Sequence, residues 1–221
     1  LFWMDEEMTE DSNSRQPPSS TLEECQWFPQ ACDDTGRLRR LLLNDINLDG
    51  TIPPEIFWGL SALHQIQFQD NPNLRGPIPT EIGLAQELQV VWLQRCGLGS
   101  SNNKKAVIPT EIGLLGDSLL YLDLSYNPLG SLNRTQTSSS PATSTLRSKQ
   151  IHDLPTELGL LTSLQELILA SDYLIGTLPS EIGRLKQLQY SLQLQSNSLS
   201  GVLPTPLGHL QALEHFYASS N

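Results

Sequence analysis

An eight-residue phrase at positions 76–83, Gly-Pro-Ile-Pro-Thr-Glu-Ile-Gly, returns along this chain in altered form, with versions starting at Gly50, Ala106, His152, Gly176 and Gly201. The shared proline stands at 53, 79, 109, 155, 179 and 204, giving spacings of 26, 30, 46, 24 and 25 residues. A base period near 24, lengthened by insertions, specifies a stacked repeat architecture and not an ordinary globule.

A second element precedes each proline phrase. Leu38-x-x-Leu41-x-Leu43 recurs as Leu63, Ile66, Phe68; Leu88, Val91, Leu93; Leu119, Leu122, Leu124; Leu164, Leu167, Leu169; Leu188, Leu192, Leu194; and Leu213, Phe216, Ala218. The x-Leu-x-Leu portion alternates with period two, which predicts a short strand with one face buried. Three residues beyond its last apolar member stand Asn71, Asn127, Asn197 and Asn221, placed to bond turn backbone groups that stacking would otherwise bury unpaired. Ile46, Cys96 and Asp172 fill the equivalent positions of the other copies. Gly50, Gly76, Gly176 and Gly201 permit a sharp bend. The following Ile-Pro or Leu-Pro pair runs extended, because proline restricts the residue before it. The "TEIGLL" and "SEIGRL" segments then predict a short helical turn with apolar residues inward. The sixth copy carries one extra residue between Leu188 and Leu192, which predicts a bulge that shifts Tyr190 and Ser191.

One coil cannot bury its own apolar stripe, so stability resides in the interfaces between stacked neighbours. A hydrophobic fraction of 38% is low for a compact globule but sufficient for so thin an assembly.

Over residues 38–221 this pattern resembles the plant-specific class of leucine-rich repeats, LxxLxLxxNxLxGxIPxxIxxL, in seven copies of which the last is truncated. The resemblance implies a repeat solenoid, an α/β leucine-rich-repeat superhelix. Short parallel strands would line its concave face, with Ile-Pro segments and short helical turns on the other side. Residues 24–37 contain Glu24-Cys25-Gln26-Trp27-Phe28 and then Ala31-Cys32-Asp33. They are similar to the N-terminal cap of plant-type receptor ectodomains, in which a Cys-x-Trp…Cys loop closes the exposed end of the core. That similarity implies a disulfide between Cys25 and Cys32 and an oxidising compartment. Cys96 is left over, and its place in the ladder reads as a buried small residue and not as a reactive thiol.

Three segments depart from the repeat. Residues 1–23 form an acidic, Ser/Pro-rich leader expected to lack fixed structure. Residues 99–107 form a polar loop, and a Ser/Thr-rich insertion spans about 130–151, expected to be disordered on the flank or convex side. The insertion holds Asn133-Arg134-Thr135, a glycosylation sequon.

Charge narrows the partners. Residues 1–36 carry nine acids against one base, which is −8 of the net −11, so the repeats are near neutral. They present no basic stripe, which argues against nucleic acid. No apolar run is long enough to span a bilayer, so any membrane attachment would use a segment not present here. The chain opens on Leu1 and stops at Asn221 within a repeat. We read it as part of something longer, with further repeats or a C-terminal cap expected beyond Asn221.

Catalytic signatures are missing: no GxxxxGK[ST], HExxH, CxxC or GxSxG occurs. His64, His152, His209 and His215 lie in different repeats without metal-ligand spacing. Glu55, Glu81, Glu111, Glu157 and Glu181 recur once per layer, which fits helix-start electrostatics and not a matched acid–base pair. No cofactor, metal or enzymatic activity is expected of this segment.

The remaining variable positions lie between the leucines and face outward. One column reads Leu42, Gln67, Trp92, Asp123, Ile168, Gln193, Tyr217. Flanking columns add Arg40, Gln65, Tyr121, Glu166, His215, and then Gln69, Gln94, Tyr126, Gln195. Trp92, Tyr121 and Tyr126 in adjacent repeats are the candidate anchors, because aromatics dominate binding hot spots; the bland reading is that they merely favour β structure. The expected function is recognition of a protein, peptide or glycan on this face, by a receptor-like protein at the cell surface or outside the cell, with an intracellular setting as the alternative. The resemblance also admits the ectodomain of a receptor-like kinase, a secreted inhibitor of wall-degrading enzymes, or a structural wall protein.

Overall fold

The computed structural model describes residues 31–99, 108–130 and 154–221. Cys25, Asn133, His152, the leader and most of both insertions lie outside the described residues.

Seven three-residue strands form one parallel sheet: β1 (Arg40–Leu42), β3 (Gln65–Gln67), β5 (Val90–Trp92), β7 (Tyr121–Asp123), β8 (Glu166–Ile168), β10 (Ser191–Gln193) and β12 (His215–Tyr217). Their spatial order follows the sequence. On the far side of the ladder turn, β2 (Gly50–Thr51), β4 (Leu74–Gly76) and β6 (Gly97–Leu98) form a second parallel sheet, and β9 (Ile175–Thr177) pairs with β11 (Ser198–Ser200). In β3, β5, β7, β8 and β10 the central residue points inward: Ile66, Val91, Leu122, Leu167 and Leu192 are wholly buried. The opposite wall supplies Ile52, Ile78, Ile108, Leu154 and Leu178, each just before the recurring proline, so the core is a continuous apolar stripe. The chain is a leucine-rich-repeat solenoid, as the repeat pattern implies.

The proline phrase closes the coil. Gly50, Gly76, Gly176 and Gly201 take φ of 106°, 82°, 95° and 85°, the left-handed region that side chains disfavour. Pro79, Pro109, Pro155, Pro179 and Pro204 then extend with ψ between 134° and 144°. Tight 3₁₀ turns follow at Thr80–Leu84, Thr110–Leu115, Thr156–Leu160, Ser180–Arg184 and Thr205–His209, each too short to recover full α geometry. In the first coil, where Pro54 replaces the Thr or Ser, an α-helical turn forms at Glu55–Gly59 instead.

Not every apolar residue of these turns faces inward. Ile82, Ile112, Leu158 and Ile182 are fully buried, but Leu84, Leu114 and Leu160 are about half exposed, together with Trp58 of the first coil. The glycine between them is forced by stacking: a methyl group on Gly83 would lie 2.6 Å from the Glu111 carbonyl of the next coil.

The ladder forms where asparagine is present. Asn71 Nδ2 donates to the carbonyls of Leu43 and Phe68, both at 2.8 Å, and its Oδ1 accepts from Leu48 N at 2.9 Å. Asn127, Asn197 and Asn221 repeat this pattern. At the exceptions, Cys96 Sγ donates to the Phe68 carbonyl at 3.0 Å, and Asp172 Oδ1 accepts from Asn127 N at 2.8 Å. Cys96 is buried, and desolvation pushes its thiol up to about 11.

The long insertion leaves the concave sheet intact, because β7 pairs directly with β8. The described chain breaks off after Gly130 and resumes at Leu154, both beyond the ladder turn and away from the strands. At the start, Cys32 bridges Leu38 in antiparallel sense around a tight turn. Asp33 organises that turn, accepting from Thr35 Oγ1 at 2.6 Å, Arg37 Nε at 2.8 Å and both backbone N–H groups. These bonds, led by the one from the Thr35 hydroxyl, hold its carboxyl well below the usual range. Cys32 is disulfide-bonded; the expected partner, Cys25, lies outside the described residues.

Candidate ligand-binding face

The strand register aligns the outward side chains. One column runs Leu42, Gln67, Trp92, Asp123, Ile168, Gln193, Tyr217, each directly opposite the next. A second runs Arg40, Gln65, Val90, Tyr121, Glu166, Ser191, His215. These are the columns expected from spacing, with Val90 and Ser191 filling the second. Parallel register and period two produce them, since residues i and i+2 share a face.

The third column differs from expectation. Tyr126 does not stand with Gln69, Gln94 and Gln195; Ser125 does, between Asp123 and the turn. Tyr126 is one residue further on, at φ 60°, in the turn position shared by Asp45, Asp70, Arg95, Ser171, Ser196 and Ser220. There it is 55% exposed. Arg95 of the preceding coil lies 5.6 Å from its ring and 3.3 Å from Asp70 Oδ1, so these turn residues form their own string along the edge of the face. Trp92 and Tyr121, in contrast, are half-buried among their strand neighbours.

The extra residue in the sixth copy has the largest local effect. Gln189 N and Tyr190 N both bond the Gln165 carbonyl at 3.1 Å, and Ser191, not Tyr190, pairs with Glu166. Tyr190 is therefore squeezed out of the strand. Its ring, two layers from Tyr121 in sequence order, stacks on that residue with centroids 6.2 Å apart and planes 20° from parallel. Tyr121 Oη donates to Gln165 Oε1 at 3.1 Å. Burial, and then the neighbouring Tyr190, raise the Tyr121 phenol above its ordinary range. Tyr190 was absent from the expected face; the irregular Leu188–Leu192 spacing was the signal that could have placed it there.

Two carboxylates adjoin this aromatic pair. Glu166 Oε1 accepts from Ser191 Oγ at 2.7 Å. Ser191 in turn accepts from Gln193 Nε2 at 3.2 Å, and Gln193 Oε1 from Gln195 Nε2 at 3.2 Å, so a polar relay fixes Glu166 from the C-terminal side. Asp123 Oδ1 accepts from Ser125 N at 2.9 Å and Ser125 Oγ at 2.6 Å. Desolvation raises the Asp123 pKa, the Ser125 bonds and the more distant Arg95 charge oppose this, and Glu166 adds to it. Elsewhere, Gln94 Nε2 donates to Gln69 Oε1 at 3.3 Å, Asn44 Nδ2 to Gln67 Oε1 at 3.1 Å, and the His215 and Tyr217 rings stack at 5.9 Å. Trp92, Asp123, Tyr121, Glu166 and Tyr190 are thus brought together, while Gln65, Gln67 and Gln94 lie towards the first coils and Gln193 and Tyr217 towards the last.

Fold and face together define a leucine-rich-repeat solenoid with a polar and aromatic concave panel. No family model and no curated protein matches the chain. Among solved structures it is similar to the crystal structure of PEPR1-AtPEP1, with TM-score 0.57 and 29% identity over 83% of this chain and 25% of that one. It is also similar in fold to the plant peptide hormone receptor RGFR1 in complex with RGF2, with TM-score 0.50 and 24% identity over 83% of this chain and 32% of that one. A plant ice-binding protein matches at TM-score 0.55 and 24% identity over 85% of this chain and 59% of the other. The chain spans about a quarter of the PEPR1-AtPEP1 chain it matches.

Proposed function

We propose that this chain is a non-catalytic recognition module that binds a protein or peptide ligand across its concave face, as part of a receptor-like protein acting outside the cell. The carrying observation is the panel centred on β5, β7 and β8, where Trp92, Tyr121 and Tyr190 cluster beside Asp123 and Glu166. Amphipathic aromatics and oriented polar groups on a rigid sheet suit ligand recognition, because little side-chain freedom remains to be lost on binding. The likeness to PEPR1-AtPEP1 supports the same reading. A disulfide between Cys25 and Cys32 and a glycan on Asn133 belong to the same extracellular proposal. The ectodomain of a receptor-like kinase is the alternative form of the same proposal.

The experiment is selection of phage-displayed random twelve-residue peptides on the folded chain, followed by binding to a Trp92→Ala, Tyr121→Ala double variant. Loss of about tenfold or more in affinity, with the circular dichroism melt preserved, supports the assignment. Unchanged binding by the folded variant refutes it.

A further inference from the structure

The centre of the concave panel carries two acids, and the base whose charge reaches Asp123, Arg95, stands at the edge of the face and is paired with Asp70. In its two outward strand columns the charged residues are Arg40 on the first strand and Asp123 and Glu166 on the adjacent strands β7 and β8. Among the described residues neither carboxylate forms an ion pair; the pairs there are Arg37–Asp33, His64–Glu87 and Arg95–Asp70. Arg95 is engaged by Asp70 on one side and the Tyr126 ring on the other. Asp123 Oδ2 and Glu166 Oε2 accept no hydrogen bond from the described residues, while the partner oxygen of each is fixed by a serine hydroxyl. The serines orient both groups and leave one oxygen of each available.

Asp123 and Glu166 are diagonal neighbours, since Asp123 pairs with Ile168 and Tyr121 with Glu166. Strand spacing puts such Cα atoms about 8 Å apart, a gap that one guanidinium or ammonium group can fill. The aromatic faces lie around that gap: Trp92 directly across from Asp123, Tyr121 directly across from Glu166, and Tyr190 stacked on Tyr121. Half-buried carboxylates without a directly paired countercharge are costly, and a cation that supplies one is favoured twice, by charge and by the electron-rich ring faces. A phosphate, sulfate or carboxylate ligand would meet repulsion at the same place.

Resting on the concave-face reading above, we propose that the centre of the panel binds a cationic side chain, an arginine or lysine of a peptide ligand. It is held between Asp123 and Glu166 and against the rings of Tyr121, Tyr190 and Trp92.

The test uses peptides recovered from the random library on the wild-type chain, with hydrogen–deuterium exchange to locate each one. Peptides that protect β5, β7 and β8 should share one basic position. Replacing that residue by glutamine should weaken binding about tenfold or more to the wild type. With Asp123→Asn and Glu166→Gln combined, the same replacement should have little further effect. Peptides that protect these strands but tolerate the glutamine replacement overturn the cationic subsite and leave the concave-face reading standing. Recovered peptides that protect only other surfaces overturn both. The two substitutions keep shape and hydrogen-bond acceptors, so the variant is expected to fold, and its melting curve is recorded alongside.

Discussion

Asn127 donates its backbone N–H to Oδ1 of Asp172 at 2.8 Å, across 45 residues of sequence and a single layer interface. Asp172 therefore occupies a ladder rung, fully buried, with Oδ2 lacking a partner. In the asparagine rungs, that place belongs to the amide nitrogen, which donates to backbone carbonyls. Only a protonated acid can imitate it. Burial pushes Asp172 up to about 9, the Asn127 N–H opposes this, and Asp123 adds to it.

The sign of the resulting pH dependence is fixed by that shift. The folded state keeps a proton that the unfolded chain releases above its ordinary value of 3.8. The stabilising contribution is full below 3.8 and is lost as pH rises towards about 9. The urea midpoint should therefore fall as pH rises from 5 to 9, because the folded state resists the ionisation of this buried group. Asp172→Asn should raise stability at neutral pH and flatten the profile. A variant that is less stable than wild type at pH 8 would falsify this role.

Stacking distance predicts a contrast between two glycines. An added methyl on Gly83 meets the Glu111 carbonyl at 2.6 Å and Leu114 Cδ1 at 3.0 Å, whereas one on Gly59 meets nothing within 4 Å. Gly83→Ala should cost about 1–3 kcal/mol in chemical denaturation. Gly59→Ala should cost no more than about 0.5 kcal/mol of wild-type stability. Equal effects would show that layer contact does not govern this position.

Ladder asparagines should differ from exposed ones in what their loss costs. Asn197 donates to Leu169 and Leu194 carbonyls at 2.6 and 3.0 Å and accepts from Asp172 and Leu174 N–H groups at 2.9 and 3.1 Å. Asn197→Ala leaves these buried groups unpaired and should cost about 3 kcal/mol or more. Asn73 donates to Asn47 Oδ1 at 3.1 Å in an exposed turn, where water can replace the bond, so Asn73→Ala should cost about 1 kcal/mol or less. Thermal melts of the two variants decide it, and similar losses would count against the ladder argument.

Cys96 should be inert in the native state. Its thiol is buried, bonded to the Phe68 carbonyl and pushed up to about 11, so little thiolate exists at pH 8. Labelling by a thiol-specific disulfide reagent should be slow in buffer and fast in denaturant. Rapid labelling without denaturant would mean that the third coil opens locally.

The repeat period determined most of the architecture, and did so from particular residues. Leucines two apart specified the strands, the proline with its glycine specified the coil closure, and the asparagines specified the ladder. These signals were legible because each is a local demand repeated in every layer. The two main outward columns followed as well, since parallel stacking brings equivalent positions into register. What the tertiary structure alone decided lies where layers are unequal. Tyr126 left its expected column because the turn after each strand takes a left-handed residue, a matter of backbone angle and not of count. Tyr190 joined the face because an extra residue had to be expelled from β10, and the nearest surface able to receive its ring was Tyr121, 69 positions away in sequence. Asp172 could stand on an asparagine rung because burial between coils keeps it protonated. Spacing shows which residues share a layer; only packing between layers shows which side chains meet and which charges survive.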